Sequence, residues 1–507
     1  MKEEGINMTA VYEKLRKIVG PDLVTNDEYI RYTYSKTADA VYQHMPDYVV
    51  RPKTPEEVAE ILRMANQEKV PVVPRGGGAG LMAGAVPHRG GIVLDMTEMR
   101  KIIEINIEDQ VVTVECGITW AELNKELYKK GFYTGCLGPG SGMSAVVGGG
   151  LSHNSVGGGG GAKYGSCCKH VVGLEVVLPQ GDIINTGSLC SKYVEHPFSR
   201  YGFGADYSGL FLGDNGIHGV KTKATLRIYT KPPYVAGKTF MLKRGNMKYG
   251  VNIFLEWLTK GGFGIYDGFY FPDYFIMGLS AMTPPTYLPW KDLNKAAIFY
   301  TTEAFSEKEL EANVESLDAI VLKNTGVPLG PEIEDGNLAK YQYGMDGNWS
   351  FYQNTFGVPA RTQSLTTEAH CPVQLFPKMV NVIDKWSAKH AAELTKIQQM
   401  TGIPVGAGCG SVGLAGENNV ELAIGFTTVI KPEFRDLNIA LWKDQLDMVI
   451  KAGAMHYMLG YVTSRQLVEA EAFTDQYYNF MKGIKKILDP NNILSPGKFM
   501  FEMEGYK

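Results

Sequence analysis

The chain has 507 residues, 50 Lys and Arg against 54 Asp and Glu for a formal net charge of -4, and is 44% hydrophobic and 21% charged. This length predicts two or more domains, and so mild a charge excludes a nucleic-acid or anionic-membrane surface as its main partner. No apolar run reaches the roughly 18 residues a membrane span needs, and the N-terminal "MKEEGINMTAVYEKL" lacks the apolar core of a signal peptide, so the expected location is the cytoplasm.

The first 230 residues alternate strand and helix signals. "DYVVRP" (47–52) reads as a short strand and "TPEEVAEILRMANQEK" (54–69) as a helix. Thr54 caps that helix, Pro55 suits its first turn, and Glu57 completes a capping box. Val58, Ile61, Leu62 and Ala65 form one buried stripe. "VPVVP" (70–74) and "GIVLDM" (91–96) are strands, and 101–117 is a β-hairpin turning near Glu108-Asp109. A second capping box, Thr119 with Glu122, opens a helix that stops at Gly131. Residues 171–184 give two strands around the turn 179–182, and 219–230 gives another. Pro232-Pro233 marks a domain boundary. Beyond it, helices at 307–323, 376–400 and 433–452 alternate with strand-like runs such as 420–430, and a helical tail covers 465–489.

Seven cysteines, at 116, 136, 167, 168, 190, 371 and 409, include no CxxC pair, so neither a zinc finger nor a four-cysteine iron-sulfur site is supported. The 59 glycines exceed the usual ~7% and concentrate at 76–91, 138–165 and 402–416. Among these, "PRGGGAGLMAGAVP" (74–87) lacks the Gly-Lys-Ser/Thr of a Walker loop. Gly78-x-Gly80-x-x-Ala83 matches a Rossmann fingerprint formally, but Pro87 and Gly90-Gly91 leave no room for the helix that fingerprint needs. A nest of glycine amides around an anion remains. The second cluster, "GPGSGMSAVVGGGLSHNSVGGGGGAKYG" (138–165), has no obvious packing role. Two such clusters imply a large cofactor threaded along the backbone.

The segments "RPKTPEEVAEIL", "VPVVPRGGGAGLMAGAVP", "AVVGGGLSHNSVGGG", "VVGLEVVLPQGDII", "YGFGADYSGLFLGDNGIHGVKTKATLRI" and "ILDPNNILSPGK" resemble the vanillyl-alcohol oxidase / p-cresol methylhydroxylase flavoprotein family, whose relatives include glycolate oxidase and D-lactate dehydrogenase flavin subunits. The resemblance implies an α+β fold. A two-subdomain FAD-binding domain of the p-cresol methylhydroxylase type would cover 1–235 and an α+β cap domain 236–455, with 456–507 returning to the FAD domain. It puts Arg75, Gly76, Gly77, Gly78, Ala79 and Gly80 at the FAD pyrophosphate. Pro139, Gly140, Ser141, Gly142 and Ser144, then Gly148, Gly149, Ser152, Asn154 and Ser155, would line adenosine and flavin. Gly216, Ile217 and Gly219 would offer backbone contacts, and Lys498 of "PGK" would reach the flavin edge. Ala79 replaces a histidine that tethers flavin in some relatives, and the cap strand offers only Asn418 or Asn419, so non-covalent FAD is expected.

The implied chemistry is hydride removal from a substrate carbon to the flavin, with protein groups moving protons. Tyr457, His456 and His370 are the catalytic candidates, and Trp349, Tyr352 and Arg361 the pocket candidates. An aromatic or other small alcohol is the first substrate class. Tyr457 matches the tyrosine of a Tyr-Arg pair in the phenol-oxidising branch, but Met458 replaces its arginine and Ser166 replaces an aspartate. A 2-hydroxy acid is the second class. Its metal-binding histidine pattern is missing from "PVGAGCGSVG", so no metal is expected, and Arg361 and Arg465 are candidate carboxylate partners. A non-catalytic flavin electron-transfer subunit is the third reading. Electrons would pass to oxygen, or to an iron-sulfur, cytochrome or electron-transfer flavoprotein acceptor, and a homo-oligomer is expected.

Overall fold

The computed structural model describes residues 8–39, 41–156, 159–242, 247–259, 264–271, 296–324, 326–328, 363–401, 407–416, 418–429, 431–457 and 459–500. A first sheet joins Val24–Thr25, Tyr48–Val50, Ile92–Asp95 and Val72–Arg75 in that order. Its last three strands are parallel, with Tyr48 and Val72 both opposite Ile92. Helix Pro55–Glu68 makes the crossover. Thr54 caps it as expected, but Glu57 reaches back to the Lys53 amide (2.6 Å) rather than to Thr54, so the capping box is displaced by one residue. Val58, Ile61, Leu62 and Ala65 are fully buried. Three such large side chains, at roughly 1.5–3 kcal/mol each, outweigh the ~1 kcal/mol of the cap. Burial of the stripe therefore holds this helix.

A second, wholly antiparallel sheet runs Ile102–Asn106, Val111–Glu115, Val220–Arg227, Val171–Val177, Ile183–Asn185. The helix beside it, Trp120–Tyr128, opens with the full Thr119–Glu122 capping box. Between Val72–Arg75 and Ile92–Asp95 no helix forms, so the glycine run is a loop.

The third sheet has nine strands, from Tyr234–Leu242, just after Pro232-Pro233, to Met455–His456. Helix Glu307–Lys323 forms as expected, whereas the 376–400 pattern is broken at His390 into Phe376–Lys389 and Ala391–Thr401. Strand Asn419–Thr428 fixes the orientation of this sheet. Its Val420, Leu422 and Ile424 pack with Phe376, Met379, Val380 and Ile383 under the helices. The opposite phase, Glu421 and Ala423, faces the first two sheets' side of the molecule across a shared cavity.

The tail forms two helices, Tyr461–Glu469 and Asp475–Leu488, because Thr474 caps a new helix rather than continuing the old one. The chain then returns to the first sheet. Val72 donates to Ile493 O and Ser495 donates to Val72 O, both at 2.8 Å. This clamps the C-terminal segment beside the strand that feeds the glycine loop. Among the described residues, no helix is long and apolar enough to cross a membrane.

Candidate functional site

A cavity of ≈ 240 Å³ is bounded by both glycine segments, the antiparallel sheet and the cap sheet. Strand Val72–Arg75 delivers Arg75 to its edge. The guanidinium donates to Lys36 O (2.9 Å) and lies 5.3 Å over the Tyr34 ring.

The glycines fall into two physical groups. A Cβ on Gly76 would lie 2.2 Å from Val146 Cγ2, one on Gly77 1.8 Å from Ser144 O, and one on Gly78, where φ is +65°, 2.2 Å from the Arg75 guanidinium. Gly76 and Gly77 let the two segments touch, while Gly78 makes room for the Arg75 side chain. Gly138 and Gly150 likewise straddle the buried Trp120 ring, each with a Cβ position 2.5 Å from it. The 138–165 cluster thus has a packing role that the sequence did not reveal. Gly80, Gly149 and Gly216 differ, because their nearest neighbours would be 3.6, 3.6 and 3.8 Å away. All three line the cavity, but Gly216 has a φ of +69° that already favours glycine, whereas neither packing nor backbone requires Gly80 and Gly149 to be bare. A flat occupant lying against the backbone accounts for these two, and the residues present therefore fit FAD.

All six residues from 75 to 80 line the cavity, as do Pro139, Gly140, Ser141, Gly148, Gly149, Ser152, Ser155, Gly216, Gly219, Lys498 and Tyr457. Gly142, Ser144, Asn154 and Ile217 do not. Asn154 instead accepts from the Ser166 hydroxyl (2.6 Å), and Ile217 packs on Phe499. Trp349, Tyr352, Arg361 and Met458 lie outside the described residues. Arg465 is not part of the lining. It stacks 5.3 Å over Tyr461 and faces Glu469 at 3.9 Å.

One wall carries a buried charge cluster. Lys221 pairs with Asp214 (2.8 Å) and Lys485 with Asp489 (2.6 Å), all four buried. Lys498 has only neutral hydrogen-bond partners: Asn215 O at 2.6 Å, Asn215 Oδ1 at 3.4 Å and Ser495 Oγ at 3.3 Å. Burial, with Lys485 and Lys221 nearby and Asp214 opposing, pushes its ammonium down to about 7. This corner is short of one anion. Asn215, Ser495 and Phe499 hold positive φ around it, a cluster of local strain of the kind retained at functional sites.

The cap side is acidic. Cross-strand register aligns Phe269, Gly413, Glu421 and His370 in one row of the sheet. Glu368, two residues before His370, shares its face, and Glu368 and Glu421 both line the cavity. The two carboxyls are hydrogen-bonded to each other. Burial and the Glu421 charge hold Glu368 well above the usual carboxylate range. Burial raises Glu421 to about 7, with the Asp267 charge adding to it and the Glu368 hydrogen bond opposing it. Two buried carboxyls this close retain a proton between them. Sequence reading missed both. The signal available was the polar phase of the 419–428 alternation. It also missed His153, Asn215 and Lys221 on the opposite wall, for which the sequence carried no such signal.

The three catalytic candidates sit beside this pair with different environments. The Tyr457 hydroxyl accepts from Val156 N (2.6 Å) and donates to Val156 O (2.8 Å), so it ties the C-terminal segment to the glycine domain. Its ring stacks on His370, with centroids 4.9 Å apart and planes 7° from parallel. Burial pushes His370 down to about 4, and His456, which faces the Leu446 and Glu368 backbone rather than the cavity, likewise to about 4. Both imidazoles are neutral near pH 7. Among the described residues no cluster of His, Cys, Asp or Glu is arranged to hold a metal.

Known proteins resemble this chain in sequence and in fold. Residues 46–187 match a family model described as an FAD binding domain, and residues 275–499 one described as the C-terminal domain of FAD linked oxidases. The glycolate oxidase subunit GlcD of Bacillus subtilis is 37% identical over 223 residues, covering 44% of this chain and 45% of that protein, so the match spans less than half of either. The mitochondrial D-lactate dehydrogenase [cytochrome] of Arabidopsis thaliana is 26% identical over 96% of this chain and 79% of its own length. Among solved structures, 4-ethylphenol oxidase from Gulosibacter chungangensis superposes with a TM-score of 0.82 at 16% identity, covering 99% of each chain. Substrate-bound p-cresol methylhydroxylase does so with 0.76 at 19% identity, covering 97% of this chain and 96% of that one. The chain thus carries an FAD binding domain and a C-terminal domain of FAD linked oxidases, on the p-cresol methylhydroxylase fold, with FAD as its cofactor.

Proposed function

We propose that this protein removes a hydride from the hydroxyl-bearing carbon of a small neutral alcohol, aromatic or aliphatic, and passes the electrons to oxygen or to a protein acceptor. The observation that carries this reading is the Glu368–Glu421 pair facing the cavity. FAD, when bound, supplies the hydride acceptor. The loop from Arg75 to Gly80 holds its pyrophosphate, Gly149 and Gly216 lie against it, and Lys498 supplies the missing counter-charge. Glu421 accepts the hydroxyl proton, and its value near 7 suits that task at neutral pH. Phe269, Gly413, Ala423 and the Tyr457 ring line the cavity along with the carboxyls.

The described residues of the cap add no cation to the lining. Among these described residues a substrate carboxylate would lie beside buried acids with no cation, which is costly, whereas a neutral alcohol incurs no such cost. Anaerobic mixing of the holoprotein with alcohols and with 2-hydroxy acids tests this. Bleaching of the flavin band by alcohols is expected. Bleaching by glycolate or D-lactate alone overturns the substrate class, and supports the 2-hydroxy-acid reading favoured by the likeness to the glycolate oxidase subunit and D-lactate dehydrogenase. Bleaching by neither class leaves an electron-transfer role.

The Lys498 reading has its own consequence. An anion placed beside it raises its proton affinity, so FAD binding takes up a proton above about pH 7, and affinity weakens as pH rises. The other charged and titratable neighbours are Asp214, Lys485, Lys221, His88 and His153. Calorimetry in buffers of different ionisation enthalpy reads the uptake. Lys498→Met is expected to abolish it and to weaken FAD roughly 10- to 100-fold.

A further inference from the structure

The cap strand Ile265–Phe271 carries a buried carboxylate, Asp267, that is not part of the cavity lining. Asp267 stands two residues before Phe269, so the two side chains share one face of the sheet. Phe269 pairs with Gly413 and Gly413 with Glu421, which puts Asp267 on the face that bears the carboxyl pair.

Across the domain junction, Asp267 grips the end of the second glycine cluster. Its Oδ2 accepts from Gly160 N (2.6 Å) and its Oδ1 from Ala162 N (3.1 Å). Gly161, between them, is bare for this contact. A Cβ there would lie 3.0 Å from Leu414 O and 3.3 Å from Asp267 Oδ1. Leu414 follows Gly413, so the grip lies beside the row that holds Glu421.

Hydrogen bonds from two amides stabilise a carboxylate in its charged form. A negative charge placed here opposes ionisation of Glu421 and adds to the effect of burial. Burial holds the other titratable neighbours neutral near pH 7. Tyr457 is kept well above the usual phenol range, Cys136 is pushed up to about 12 and His370 down to about 4. Lys163, on the gripped segment, pairs with Glu303 at 2.7 Å. Glu303 also accepts from the Tyr133 hydroxyl (2.6 Å), so it holds the same junction with its charge matched by a lysine. We propose that Asp267 is a positioning residue for the reaction: it docks the cap on the turn 160–162 and, through its charge, fixes the proton shared by Glu368 and Glu421. The inference rests on the reading of Glu421 as the base.

Infrared titration of the holoprotein tests this without substrate, through the protonated-carboxyl band that Glu421→Gln removes. Asp267→Asn is expected to move the midpoint of that band down by roughly one pH unit, and to move the rate of flavin reduction by benzyl alcohol with it. Glu303→Gln loosens the same junction and should leave the midpoint in place. Asp267→Glu keeps the charge and should keep the midpoint near that of the wild type. Should Asp267→Asn fail to fold or lose flavin, Asp267→Ser, whose hydroxyl can accept from one of the two amides, must show the same downward shift. A band that moves while the rate profile stays put upholds the hold of Asp267 on the pair and removes Glu421 as the base. A midpoint unmoved in a folded, yellow variant at Asp267, or moved as far by Glu303→Gln, overturns the proposal.

Discussion

Replacing Gly149 by leucine is expected to give a folded protein that purifies without FAD. Gly149 lies inside helix Val147–His153, where a side chain gains about 1 kcal/mol of helix propensity over glycine. Outside its chain neighbours and its own helix backbone, the atom nearest its Cβ position is Val146 Cγ2, at 3.6 Å. The leucine therefore costs the apoprotein little, but it extends into the cavity bounded by residues 75–80. Overpacking of an occupied site costs roughly 1–3 kcal/mol or more, a loss of about 10- to 100-fold in affinity. Circular dichroism and the flavin absorbance of the purified protein separate the two effects. Gly77→Leu provides the contrast. Its Cβ would sit 1.8 Å from Ser144 O, so folding and FAD should be lost together. A Gly149→Leu protein that remains fully yellow contradicts this assignment of the cavity.

Glu421→Gln is expected to slow substrate reduction of the flavin by on the order of 10²–10⁴ while FAD stays bound. The wild-type rate should rise with pH through about 7 and then level, whereas the variant should show no such rise. Stability should move the opposite way. The folded-state value of Glu421 is raised, so its contribution is present at low pH and is lost as pH climbs from the unfolded value of ~4.3 towards 7. At pH 8 the wild type bears a buried charge that glutamine lacks, and glutamine can still donate to Glu368. The variant is then expected to be more stable at pH 8 by on the order of 1–3 kcal/mol, with the advantage vanishing near pH 4. Urea midpoints at the two pH values check this. A variant of normal activity removes Glu421 from the chemistry.

The two walls of the cavity were unequally legible in the sequence. The FAD side announces itself because close backbone approach demands glycine, and glycine is unmistakable in a string of letters. The string does not say which glycines serve the protein and which serve the ligand. Gly77 and Gly138 are bare for Ser144 and Trp120, whereas Gly80 and Gly149 are bare for the cavity. The cap side hides in a strand phase. In residues 419–428 the apolar set Val420, Leu422, Ile424 and Phe426 is conspicuous, and it is the set that only builds the core. The chemistry rides on the interleaved Glu421, and Glu368 reaches it from just before the neighbouring strand Ala369–Pro372, whose pairing no local pattern encodes. Tyr457 was identifiable by likeness, but its two hydrogen bonds to Val156 depend on a segment some 300 residues away.

The arrangement also bears on the balance between stability and function. The buried pairs Lys221–Asp214 and Lys485–Asp489 balance themselves, while Lys498 and the Glu368–Glu421 dyad do not. Uncompensated buried groups weaken a fold unless a ligand or a proton completes them. Both lie on the cavity, one on each wall, and this makes the cavity the part of the molecule whose energetics most depend on what it holds.

A crystal structure of the FAD complex tests the central claim most directly. The account predicts the pyrophosphate between residues 75–80 and Lys498, the dinucleotide lying on the backbone of Gly149 and Gly216, and the isoalloxazine facing the Glu368–Glu421 pair. FAD bound elsewhere, or with its ring system turned away from both carboxyls, would contradict it.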